Sequence, residues 1–236
     1  MKLTWASMTD VGRVREHNED SVMPEPGTGV ATKRLVAAVA DGMGGHAAGE
    51  IASKTAIEAA VSMRGSPVRR VQAANLAVIE AASLQPRLAG MGTTLTLAMI
   101  TPDGAVDMAH VGDSRAYRLS GGVLEQITTD HSYVAEMIEA GQLTPREAED
   151  HPYRSVVTRA IGLDLGVVVD SHKFKLAAGD HLLLCSDGLT SMVDDPTIQS
   201  ILGSAMPLSE VAGALVDAAN LADGADNITV VVVELA

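Results

Sequence analysis

Runs of alternating or continuous apolar residues, rich in Val, Ile and Thr, recur along the chain. They are "LTWASM", "RLVAAVA", "GTTLTLAMI", "AVDMAHV", "RAYRLS", "VLEQIT", "VVVDSHKFKL", "DHLLLCS" and "NITVVVVEL", and each predicts a β-strand. Helical spacing appears elsewhere. After Pro67, the positions of Val68, Val71, Val78 and Ala82 predict a helix over 67–83, and Leu208, Val211, Leu215 and Ala218 predict another over 208–221. Thr144, Pro145 and Glu147 form a capping-box start, and Asp195-Pro196 opens a helix in the same way.

The middle strands follow one another through short turns such as "SGG" at 120–122, so hairpins outnumber strand-helix alternation. This order predicts an α+β fold, two mainly antiparallel sheets packed face to face with helices outside, in one domain over 1–236. The polar segment 129–163, with two short helices and Pro145 and Pro152, reads as an inserted flap over a site.

Composition narrows the picture. Aromatic residues are only 2%, so Val, Leu, Ile, Ala and Met must build the core. With 17 Lys and Arg against 30 Asp and Glu the net charge is −13, which argues against nucleic acid as a partner because phosphate backbones demand clustered cations. The single cysteine, Cys185, excludes a disulfide framework and a cysteine-based zinc site, and is expected in the core. No apolar run reaches membrane-spanning length and no leader is evident, so a cytoplasmic chain with no membrane segment is expected. The last strand run ends at the final residue, which leaves an anchor in a longer parent open.

The chemistry is concentrated at strand ends. "LVAAVADG" closes on Asp41-Gly42, "MAHVGDS" on Gly112-Asp113 and "HLLLCSDG" on Asp187-Gly188, while "NITVVVV" begins just after Asp226. A lone aspartate there is ordinarily a turn or cap residue. Four at adjacent strand ends would gather like charges at one end of a sandwich, and a divalent cation is their simplest counter-charge. Carboxylates without His or Cys at ligand spacing favour Mg²⁺ or Mn²⁺ over Zn²⁺. Gly42 would let the backbone approach a metal, and Gly44, Gly45 and Gly49 a tight exit into a helix.

Competing chemistries fit less well. "GMGGHA" matches a dinucleotide loop, but Asp41 would then face a pyrophosphate and the other acidic strand ends would go unexplained. Ser191 stands where a cysteine phosphatase would carry arginine after Cys185, and neither a nucleophile elbow nor a Walker loop occurs.

Seven segments in order, "GRVREHNEDS", "ADGMGGHAAGE", "MGTTLT", "HVGDSRAY", "HPYRSVVTRAIG", "LLCSDGL" and "ADNITVVVV", make the chain resemble the PPM (type 2C) metal-dependent Ser/Thr protein phosphatases in their bacterial form. The resemblance implies a four-layer α-β-β-α sandwich and hydrolysis of phosphoserine and phosphothreonine by a metal-activated water, opposing Ser/Thr kinases. It implies two core Mn²⁺ or Mg²⁺ ions, with Asp41 bridging, Gly42 lending its carbonyl, and Asp187 and Asp226 completing the set. Asp113, with Asp187 and Ser155, would hold a third ion. Arg15 would take the substrate phosphate, a task suited to a guanidinium. Asp20 would act behind the ligands, and Glu19 beside it.

Met43 departs from eukaryotic relatives, which carry a histidine there that is proposed to protonate the leaving group; methionine has no proton to give. His46 is the nearest alternative in sequence. The other histidines, His17, His110, His131, His151, His172 and His181, read as structural or exposed. Phosphorylated proteins, Ser/Thr kinases among them, are the expected partners of a monomer. A non-catalytic phosphoprotein-binding module and a phosphatase for small esters are the alternatives, the first opposed by the intact Asp41, Asp187 and Asp226.

Overall fold

The computed structural model describes residues 1–45 and 47–236. In chain order the elements are β1 (Leu3–Asp10), β2 (Asp20–Met23), β3 (Gly27–Ala31), β4 (Leu35–Met43), α1 (Ala47–Ser62), α2 (Pro67–Leu84), β5 (Gly92–Thr93), β6 (Leu95–Ile100), β7 (Ala105–Val111), β8 (Arg115–Ser120) and β9 (Val123–Gln126). There follow α3 (Tyr133–Glu139), α4 (Pro145–Glu149), β10 (Asp170–Lys175), β11 (His181–Cys185), α5 (Asp187–Thr190), α6 (Asp195–Leu202), α7 (Leu208–Leu221) and β12 (Ile228–Leu235).

One sheet runs β3-β1-β12-β11-β8-β9 and the other β10-β7-β6-β4-β2, with β5 paired to β4; every pairing is antiparallel. The period-2 rule then sorts the apolar runs. In β4, Leu35, Ala37 and Val39 face the layer between the sheets, while Ala38 and Ala40 pack under α1 and α2. In β12, Val231, Val233 and Leu235 face inward while Val230 and Val232 pack under α6 and α7. Both faces of the central strands are covered, which is why they read as continuous apolar runs although the sheets are antiparallel. The result is the four-layer α-β-β-α sandwich expected of the sequence.

Differences from the sequence reading are local. The short strands β2 and β3 carry too few apolar residues to signal themselves, the run "GTTLTLAMI" is divided at Thr94 into β5 and β6, and Val167 and Val169 pack on the helical layer ahead of β10 instead of extending it. The helix expected to open at Asp195-Pro196 is capped one residue earlier, by Asp194 Oδ1 accepting from Thr197 N at 3.0 Å. The capping box at Thr144 forms, with Thr144 N donating to Glu147 Oε2 at 2.9 Å. Cys185 is buried, and burial pushes its thiol up to about 12. Among the described residues, no helix is long and apolar enough to cross a membrane.

Candidate metal centre and catalytic cavity

Antiparallel stacking brings the ends of β4, β7 and β11 and the start of β12 to one end of the sandwich. There Asp41, Asp113, Asp187 and Asp226 line a single cavity of about 730 Å³, with Gly42, Arg15, Glu19 and Ser155 on its wall. Thus every residue expected at the site reaches it except Asp20.

Asp20 lies directly across from Asp41 in the β2–β4 register but turns into the core, where Ser186 Oγ donates to its Oδ2 at 2.7 Å. Ser186 Oγ in turn accepts from Thr229 N at 3.0 Å, so Asp20 is tied to β12 behind the ligands. The Glu19 carboxylate lies against the first turn of α1: a Cβ on Gly49 would come within 2.1 Å of its Oε2. Gly42 has the same cause. A Cβ there would meet the Gly49 carbonyl oxygen at 2.1 Å and the Glu19 carbonyl oxygen at 2.6 Å, so glycine is required by the close approach of β4, α1 and the β2 entry.

Asp41 itself is held by its backbone. Its N–H donates to Thr94 Oγ1 at 2.9 Å, and its carbonyl accepts from Thr94 N at 2.9 Å and from Thr93 Oγ1 at 2.8 Å. Asn227 organises the opposite wall. Its Oδ1 accepts from Glu19 N at 2.8 Å, and its Nδ2 donates to the carbonyls of Val11 at 3.0 Å and His17 at 2.9 Å, which fixes the loop bearing Arg15. Sequence reasoning assigned no task to Thr93, Thr94 or Asn227. Their only signal was position, inside "GTTLT" and directly after Asp226.

The electrostatics follow from this crowding. Asp41 is pushed well above the usual carboxylate range by burial and then by Asp20, Asp187, Asp113 and Asp226. Burial and Asp187 raise Asp113 to about 7, burial and the neighbouring Asp187 and Asp226 raise Asp20 to about 7, and burial with Asp226 raises Asp187. Only one guanidinium touches the carboxylates directly among the described residues lining the cavity: Arg15 Nη2 donates to Asp226 Oδ2 at 2.7 Å.

A divalent cation fits this donor set. The donors are all oxygens, as hard cations require, and Asp187 Oδ1 is buried with no hydrogen-bond partner. Among the described residues no three His, Cys, Asp or Glu side chains are grouped closely enough to hold a metal ion as they stand; a cation would offset the mutual repulsion of the carboxylates. Met43 lines the cavity and offers no proton, and His46 lies outside the described residues. His17 stands exposed at the cavity, while His110 and His131 are buried structural residues, His131 Nδ1 accepting from Gly112 N at 3.0 Å.

A four-layer sandwich with a carboxylate cluster at the strand ends defines the class of metal-dependent phosphatases. Residues 13–223 match the Protein phosphatase 2C family. The chain is 38% identical to the serine/threonine phosphatase Stp of Listeria innocua over 96% of its own length and 93% of that protein. It superposes on the crystal structure of the Mycobacterium tuberculosis serine/threonine phosphatase PstP/Ppp with a TM-score of 0.89 at 39% identity, covering 100% of this chain and 99% of that one. A crystal structure of the PstP catalytic domain in complex with two manganese ions matches with a TM-score of 0.83 at 36% identity, each chain covered to 99%. The protein belongs to the Protein phosphatase 2C family, and it is a metal-dependent protein phosphatase.

Proposed function

We propose that the cavity removes phosphate from phosphoserine and phosphothreonine in proteins, reversing the work of bacterial Ser/Thr kinases in the cytoplasm. The observation that carries this reading is a set of four carboxylates around one cavity with a buried, unpartnered oxygen on Asp187. Asp41, the Gly42 carbonyl, Asp187 and Asp226 would hold two Mn²⁺ or Mg²⁺ ions; Asp113, Asp187 and Ser155 would hold a third. When bound, such cations supply Lewis acidity, lowering the pKa of water and offsetting charge on the phosphoryl oxygens.

The chain's own residues do the rest. Thr93 and Thr94 fix the backbone of Asp41, which sets the point from which its carboxylate enters the cavity. Arg15, at the rim, would share its remaining N–H donors with the substrate phosphate and hold it in the cavity. Asp20, hydrogen-bonded to Ser186, stands across from Asp41 behind the ligands, and Glu19 lies against the α1 junction. All of the groups assigned to the cavity lie within this chain, so the proposed catalysis requires no residue from a second copy.

The test is hydrolysis of p-nitrophenyl phosphate and a phosphothreonine peptide with EDTA, Mg²⁺ or Mn²⁺, alongside Asp41→Asn. Activity that needs metal and collapses in the variant is expected. Metal-independent hydrolysis would overturn the mechanism, and silence with every metal would point to a binding module.

A further inference from the structure

A second cavity of about 380 Å³ adjoins the first and shares Asp113, Ser155 and Asp187 with it. Val134 and Ile138 of α3 and Pro145 and Ala148 of α4 give it an apolar stretch, beside the charged Arg115, Asp130, Glu149 and Arg154. Val134 and Ile138 lie four residues apart, on one face of the helix.

This face is unlike the other helical faces of the fold. Helix α3 has no buried residue, and none of the three hydrophobic clusters takes in Val134, Ile138, Pro145 or Ala148. The apolar side chains of the 129–163 segment therefore line a groove that runs into the catalytic cavity. A phosphate ester of a small molecule would end at the carboxylates. An extended polypeptide advances about 3.3 Å per residue, with successive side chains alternating in direction, so a phosphoresidue seated at the carboxylates would carry its neighbours along this groove.

We infer that the groove between α3 and α4 is a substrate subsite, taking an apolar side chain of the phosphoprotein that flanks the phosphorylated residue. The inference rests on the proposed protein phosphatase activity and adds a sequence preference to it. Continuity with the catalytic cavity commits the groove to the phosphoprotein substrate itself.

The experiment compares kcat/KM with Mn²⁺ for phosphothreonine peptides that differ only in the flanking residues, with Leu, Gly or Asp placed on either side. The Leu peptide should exceed the Gly peptide by roughly tenfold on one side, as a hydrophobic subsite contact typically discriminates. In Ile138→Ala, and independently in Val134→Ala, that ratio should fall towards one, whatever the overall rate. Equal rates for Leu and Gly on both sides, a preference set by charge alone, or an unchanged ratio in both variants would overturn the subsite. Wild-type turnover of p-nitrophenyl phosphate, which has no flanking residue, separates the two readings: if Mn²⁺ elicits none, the proposed catalysis fails and not merely the groove.

Discussion

Arg15 Nη2 and Asp226 Oδ2 stand 2.7 Å apart at the mouth of the cavity, a cation on one of the carboxylates assigned to metal. Half of the Arg15 side chain is exposed, so the pair contributes under about 1 kcal/mol to stability. Its value lies in substrate recognition. Arg15→Ala should raise KM for a phosphopeptide about tenfold, the worth of a charge-assisted hydrogen bond, and leave kcat little changed. Steady-state kinetics check this; an unchanged KM would remove Arg15 from phosphate binding.

Asp187→Asn keeps the shape of the buried side chain and removes its charge. Because Asp187 Oδ1 has no hydrogen-bond partner, the substitution breaks no bond at that oxygen and should leave the fold intact while lowering Mn²⁺ affinity and activity by about 100-fold. Calorimetric titration with Mn²⁺, beside thermal unfolding in EDTA, separates the two effects. Native Mn²⁺ affinity in Asp187→Asn would exclude it as a ligand.

The threonine behind Asp41 should matter although it is not among the residues assigned to metal. Thr94→Val removes the acceptor of the Asp41 N–H and the hydroxyl that meets Ser114 Oγ at 2.7 Å, with almost no change in volume. A loss of roughly 10–100-fold in Mn²⁺ affinity or activity is expected from such supporting partners. If activity persists, the neighbouring bonds to the Asp41 carbonyl suffice.

The metal-free protein should lose stability as pH rises. Asp20 and Asp113 titrate at about 7 when folded against about 4 when unfolded, so the folded state binds more protons between those values. That stabilisation is full below about pH 4 and is lost as pH rises through 7. His110 acts in the other direction, since burial holds it at about 3 when folded against about 6.5 unfolded, and its contribution disappears as pH falls through that window. Thermal unfolding in EDTA should therefore show lower stability at pH 8 than at pH 6. Added Mn²⁺ should raise the midpoint more at pH 8, where the carboxylates are already ionised. A larger Mn²⁺ effect at pH 6 would contradict the clustering of these carboxylates.

Much of the fold was readable because both central sheets are covered on both faces. Strand runs such as "LLLC" and "ITVVVV" are then continuous, and α7 begins and ends where its apolar spacing does. β2 and β3 escaped notice because each is short, and β3 lies at an edge. An edge strand has one neighbour and a weak apolar pattern.

The candidate site divides in the same way. A glycine or small residue beside an aspartate at the end of an apolar run is a local signal, so Asp41, Asp113, Asp187 and Asp226 were visible one by one. Their convergence was arguable because hairpins return successive strands to the same end. The side-chain bonds of Asn227 to residues more than 200 positions away depend on β12 lying beside β1, which no local pattern reports. Likewise, Asp20 turns inward because Ser186 waits across the sandwich.

Sequence alone thus supplied the candidate donors, the class of cation that oxygen donors suit and the strands that carry them, because charge type and apolar period are local properties. Only the tertiary structure decided which oxygen is left unpartnered, which guanidinium neutralises which carboxylate, and that the apolar face of α3 opens onto the cavity. Those are distances between elements far apart in the chain, and they exist only once the two sheets have packed.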